Sequence, residues 1–159
     1  MSRFTILYPI SLLLLFVIFY FDTSIISTTI NTFQQNLIID VIRDIFPNRV
    51  EENFIIITNN YKLSIDKACN GVVTIIFFIA PVLVYQSSII YKIFFIIIGY
   101  IILTLANIIR IIFITYMVIE DKSNFSLSHD YIGNLFLLIV GVGLFIIFLR
   151  LNSNKKKLN

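Results

Sequence analysis

Four long apolar runs divide this chain. The first covers residues 4–21 (FTILYPISLLLLFVIFYF), between Arg3 and Asp22. The second is 71–86 (GVVTIIFFIAPVLVYQ), the third runs from Lys92 to about residue 119, and the fourth is 131–149 (YIGNLFLLIVGVGLFIIFL). A helix needs roughly 20 apolar residues to cross a bilayer, so each run is a predicted transmembrane helix. The third is too long for one upright span and too short for two, which predicts a single tilted helix that emerges from the membrane. The first resembles the charged start and apolar core of a signal peptide, but no small-residue cleavage site follows, so a retained helix is expected. Pro81 predicts a tolerated kink in the second span.

The longest segment between spans has its own pattern. In residues 25–46, Ile30, Phe33, Leu37, Val41 and Ile45 recur at helical spacing with polar residues opposite. That predicts an amphipathic helix on the membrane or capping the bundle, ended by Pro47 and Asn48. Next comes ENFIIITNNYKLSID, a β-branched run, Asn59-Asn60, then alternating Tyr61, Leu63 and Ile65. This predicts a short β-hairpin whose Asn-Asn turn tolerates positive φ. The fold class expected is therefore an all-α polytopic membrane protein. It has about four transmembrane helices, with an outer amphipathic helix and a short β-hairpin between the first two. Residues 1–150 form one integral membrane domain and 151–159 a basic cytoplasmic tail. No internal repeat is visible.

Composition agrees with this class. Of 159 residues, 58% are hydrophobic and 13% charged, and the mean hydropathy is +0.95. A soluble domain of this size has too much surface to hide so much apolar area. A net charge of +3 gives no nucleic-acid footprint. Alternating four spans places Arg3, Lys92, Arg150 and Lys155–Lys157 on one side, and every carboxylate on the other. Short basic segments stay inside, so both termini are expected in the cytoplasm. Cys69 then lies at the outer face.

Three polar residues on that face stand out. Cys69, in SIDKACNGVVTIIFF, is the chain's single cysteine. Taken alone, a free cysteine is most often a small buried hydrophobe. Here it opens a helix, whose N-terminal dipole lowers a thiol's pKa, with Lys67 near and Gly71 allowing close approach. Arg110, in ANIIRIIFITY, sits in an apolar span; such a charge snorkels to the headgroups or turns into the bundle. Asn107, three residues earlier, shares its helix face and favours the second reading. His129, in SLSHDYIGN, is the single histidine. Gly133 follows four residues later, Ser126 or Ser128 is placed to cap the last helix, and Asp130 suits its N-terminus. Together Cys69, Arg110 and His129 make a set suited to acyl transfer: thiolate nucleophile, oxyanion stabiliser, proton relay. One histidine and one cysteine make a metal site unexpected, and no cofactor motif is present.

These residues carry a resemblance. ACNG opening a span, ANIIR within the next, and His129 with Gly133 opening the last resemble the three signatures of the exosortase/archaeosortase family, over roughly residues 50–149. Its members are polytopic membrane cysteine transpeptidases that process C-terminal sorting signals. The chain resembles the short, single-module members seen in Bacteroidetes-type bacteria. The resemblance implies that Cys69 is the nucleophile, Arg110 stabilises the oxyanion and His129 is the general acid and base, supported by Asn107, Gly71 and Gly133. It implies secreted protein substrates that end in a short motif, an apolar helix and a basic cluster. The main part would pass to a lipid or glycan acceptor, or to water. The first signature usually carries serine or threonine where Asn70 stands. The alternative is a non-catalytic membrane scaffold or an assembly factor that binds sorting signals without cutting. A small transporter ranks last, because the other spans hold almost no polar residues.

Overall fold

The computed structural model describes residues 3–21 and 24–158, and the side chains up to residue 153. Asp22, expected to bound the first span, lies outside the described residues. The elements in order are α1 (Arg3–Phe19), α2 (Ile25–Ile45), β1 (Val50–Glu51), β2 (Phe54–Thr58), β3 (Tyr61–Ser64), α3 (Val72–Val84) and α4 (Ile89–Glu120). They are followed by a single turn α5 (Asn124–Ser126), a π-helical turn (Leu127–Gly133) and α6 (Asn134–Leu158). The molecule is mostly helical, as a membrane protein of this composition should be.

Two helical stretches are long and apolar enough to cross a membrane, Ile89–Glu120 and Asn124–Ser153. The third run is one unbroken helix, starting at Ile89 with Ser88 as its cap residue rather than at Lys92. α1 and α3 are shorter apolar helices of 17 and 13 residues. On α4 the large side chains Phe94, Ile97, Ile101, Leu105, Ile109 and Tyr116 are exposed and recur at helical spacing. At 1.5 Å per residue that stripe is about 33 Å long, close to the thickness of a bilayer's hydrocarbon layer.

The interior has two apolar cores. One joins Ile38 and Ile42 of α2 and Ile55 and Leu63 of the sheet to Ile108, Ile111, Ile114 and Val118 of α4. The other joins Ile75, Phe78 and Val82 of α3 to Tyr91, Phe95 and Leu103 of α4 and Leu144 and Phe148 of α6. α3 and α4 cross closely because Gly99 has no Cβ; one added there would fall 2.0 Å from a Phe78 ring carbon. At the α3–α4 turn, Ser87 donates to Asn152 of α6 at 2.8 Å, so the far part of α6 lies beside that turn.

Two expectations need correction and a third is narrowed. The hairpin is there, but a short β1 extends it to a three-stranded antiparallel sheet, β1-β2-β3. Its Asn59-Asn60 turn has no positive φ; a register shift between Ile56 and Thr58 takes up the strand twist instead. The left-handed residue is Glu52, φ 50°, in the β1–β2 turn. Second, α2 is helical as expected, capped by Ser24 on the Ser27 N–H, and of the two places open to its apolar stripe the outward one is found. Ser27, Asn31, Gln34, Ile38 and Ile42 are buried, while Phe33, Leu37 and Ile45 are exposed. Third, neither serine caps the last helix. Ser128 donates back to the carbonyl of Asn124 at 2.7 Å and Ser126 donates to the Asp130 carboxylate at 2.9 Å.

Candidate active site

Between the two cores lies a belt of buried polar residues: Asn31, Gln34, Asn70, Thr104, Asn107, Arg110 and Ser128. Buried polar groups persist only where they are hydrogen-bonded, and each segment of the site is tied in by such bonds. The loop before α3 is held first. Gly71 takes φ 78°, a left-handed conformation that glycine adopts without penalty. The Asn107 side chain packs where a Cβ would be, 2.9 Å from its Cγ. The Asn107 amide donates to the Cys69 carbonyl at 2.8 Å. Asn70 is fully buried; its amide donates to Asn31 Oδ1 at 2.8 Å while its own Oδ1 accepts from Val72 N–H at 3.0 Å. Asn70 thus caps α3 and reaches α2 at once.

The opposite wall is the π-helical turn. It carries His129, whose Nε2 lies 3.4 Å from Cys69 Sγ. His129 Nδ1 is 2.8 Å from Asp130 Oδ1, and the ring stacks on Phe125 with centroids 5.0 Å apart. Five residues on, Asn134 Oδ1 accepts from Arg110 Nη2 at 3.1 Å. In an α-helix, side chains five apart point about 140° from each other. The wider π turn, bonded i to i+5, lets His129 and Asn134 address one site.

Arg110 turns inward, only 4% exposed. Nη1 donates to Asn107 Oδ1 at 3.3 Å, and Gly133 packs against the guanidinium, where a Cβ would sit 2.8 Å from Nε. Among buried side-chain polar atoms of the described residues, Nε is the one without a hydrogen-bond partner. A buried donor left unpaired costs roughly 1–3 kcal/mol.

The electrostatics differ from the expectation in one respect. The Cys69 thiol is pushed above the ordinary thiol value, first by burial and then by the Asp66 carboxylate; Arg110 pulls it down without cancelling them. Lys67 Nζ lies 4.7 Å over the Tyr20 ring. Asp66 instead turns the loop: its carboxylate accepts from Ala68 N–H and its carbonyl from Cys69 N–H, both at 2.9 Å.

All six residues singled out from the sequence, Cys69, Arg110, His129, Asn107, Gly71 and Gly133, meet at this one place. Sequence reasoning missed Asp66 and Asn134 as their neighbours and Asn31 as the anchor of Asn70, and it placed Asp130 at the helix N-terminus rather than on the His129 ring. The signal for Asn31 was present as a polar stripe, Ser27, Asn31 and Gln34, at helical spacing. Beside Cys69 and His129 is a cleft of about 30 Å³, walled by Ile55, Leu63, Ser64, Ile111, Ile114 and Phe125.

Comparison with known proteins settles the family. Residues 2–148 match the family described as transmembrane exosortase. The chain is an exosortase-family protein. Membership places it in the membrane and in a family concerned with processing sorting signals. No curated protein and no solved structure matches it.

Proposed function

We propose that this exosortase is a cysteine peptidase or transpeptidase of the outer face of the bacterial inner membrane. It cuts C-terminal sorting signals of secreted proteins and passes the main part to an acceptor. The observation that carries this is the 3.4 Å approach of Cys69 Sγ to His129 Nε2, with Nδ1 held by Asp130. A carboxylate on Nδ1 keeps the proton there and leaves Nε2 to accept from the thiol.

With its pKa raised, the resting nucleophile is the neutral thiol, so deprotonation accompanies attack. His129 Nε2 takes the proton as Sγ bonds to the scissile carbonyl carbon, and the π electrons move onto oxygen. Arg110, whose charge acts on the Cys69 thiol and whose guanidinium is held by Asn107 and Asn134, stabilises that oxyanion. As the carbonyl re-forms, the C–N bond breaks, His129 protonates the leaving amine, and a thioester to Cys69 remains. An amine or hydroxyl of a lipid or glycan, or water, then attacks with His129 as base and regenerates the thiol.

In this reading α1, α3, α4 and α6 are the four spans, both termini are cytoplasmic, and residues 151–159 are a cytoplasmic tail that fixes orientation. The basic inner segments and acidic outer ones support it. The decisive experiment replaces Cys69 by Ala in cells secreting a protein with a motif–helix–basic-cluster terminus. Processing should stop while membrane insertion is unchanged, and Arg110→Leu should cost on the order of a hundredfold or more in rate. Continued processing by Cys69→Ala would remove the nucleophile assignment.

A further inference from the structure

The strand that leads into Cys69 is the open edge of the sheet. β3 is one of the two outer strands of the order β1-β2-β3, so one of its edges is unpaired among the described residues. The register identifies the backbone groups on that edge. Ile56 N–H donates to Arg49 C=O at 2.6 Å, so Ile56 turns its backbone toward β1. In an antiparallel sheet alternate residues bond to opposite sides, so Ile55 turns toward its β3 partner, Leu63. Ile65 N–H likewise donates inward, to Asn53 C=O at 2.8 Å. Lys62 and Ser64 are left with N–H and C=O pointing away from the sheet, and both residues are exposed.

This edge is not remote from the chemistry. Ser64 shares the cleft with Cys69 and His129. At the other end of the strand Lys122 lies over the Tyr61 ring, 5.5 Å from its centroid. Exposed strand edges pair readily with extended chains, and proteins usually cover or blunt them.

We infer that β3 is the binding strand for the substrate. An extended peptide adds as a fourth strand, bonds through the free backbone groups of Lys62 and Ser64, and is thereby led with its scissile carbonyl to Cys69. The inference rests on the acyl-transfer reading above and specifies how that site takes its substrate. Main-chain bonds supply affinity without regard to sequence, and alternate side chains supply specificity. A cleft of about 30 Å³ has room for one small side chain beside the scissile bond.

The test uses the full chain in lipid nanodiscs and three thiol probes. These are iodoacetamide, an acetyl-alanyl chloromethyl ketone, and an acetylated four-residue chloromethyl ketone of alternating threonine and alanine. Each rate at Cys69 is read by mass spectrometry, and each ketone rate is divided by the iodoacetamide rate of the same variant. Strand addition predicts that the four-residue reagent outpaces the one-residue reagent by about tenfold or more, the effect of one or two net main-chain hydrogen bonds. N-methylating the reagent's alternate amides in one register should erase the gain; in the other register it should not. Ser64→Pro should also erase it, because it removes an edge N–H at a position where proline is compatible with a strand. A length gain that survives N-methylation in both registers overturns the inference, as does the absence of any gain. If His129→Ala leaves the iodoacetamide rate unchanged, the acyl-transfer reading itself fails, whatever the peptides do.

Discussion

The thiol of Cys69 sits between two charges of opposite sign, and burial decides its state. Its pKa is raised by burial first and Asp66 second, against Arg110. A raised pKa keeps the group protonated at neutral pH, so alkylation by iodoacetamide should climb steadily as pH rises past the ordinary thiol range, without a plateau near pH ~7. Asp66→Asn removes a raising contribution and should move the midpoint down; Arg110→Met should move it up. A wild-type midpoint below that of a free thiol would refute the neutral-thiol account. Gly71 makes a second test at this scale. Alanine there meets φ 78° and the Asn107 side chain together. The backbone alone costs about 1–2 kcal/mol, visible as a lower melting temperature in detergent. Loss of the Asn107 hold on the Cys69 carbonyl should also change the iodoacetamide rate; an unchanged rate would mean that Asn107 does not position the loop. A glycine two residues after a cysteine advertises close approach, but nothing local names Asn107 as what approaches. Only the crossing of α3 and α4 does that.

At the scale of elements, helices and hairpin were legible because their periods are local, and faces were not. The apolar stripe of α2 was expected either on the membrane or against the bundle, and the periodicity did not choose between them. Here the inner side also includes the polar belt, and Ser27, Asn31 and Gln34 find partners there. Asn31 holds Asn70, Gln34 accepts from Tyr100 Oη at 2.7 Å and donates to Thr104 Oγ1 at 3.0 Å. The exposed Phe33, at 61%, can rest on the bilayer surface at no loss to the core. The prediction runs against the hydrophobicity ranking: Asn31→Leu should destabilise more than Phe33→Ser. The first leaves the buried Asn70 amide unpaired, about 1–3 kcal/mol, whereas the second falls within about 0.5 kcal/mol. Paired thermal melts in one detergent decide it, and the reverse order would mean that α2 packs inward through its apolar stripe. β1, two residues long, and the π turn have no sequence period to read. The turn matters all the same, since it aims His129 and Asn134 at one place.

Across the whole molecule, the charge pattern and the two cores lead to one arrangement. The polar belt lies where the apolar core of the helices gives way to the core beneath the sheet. An intramembrane arginine is tolerable at that level because Asn107, Asn134 and Gly133 enclose it. The proposed topology puts the sheet and α2 on one side of the bilayer, and the α3–α4 turn with the adjoining end of α6 on the other. Single cysteines placed in a Cys69→Ala background test this directly. Asn60→Cys, in the β2–β3 turn, should react with a membrane-impermeant maleimide in intact cells. Ser153→Cys, near the end of α6, should react only after the inner membrane is permeabilised. The two sites are joined through β3, α3, α4 and α6, so an odd number of crossings must separate them if α3, α4 and α6 each span. Labelling of both from the same side would mean that the 13-residue α3, too short by itself for a ~30 Å layer, enters the membrane and fails to cross it. Cys69 would then open a re-entrant segment, and the site would face its substrate from within a half-buried loop.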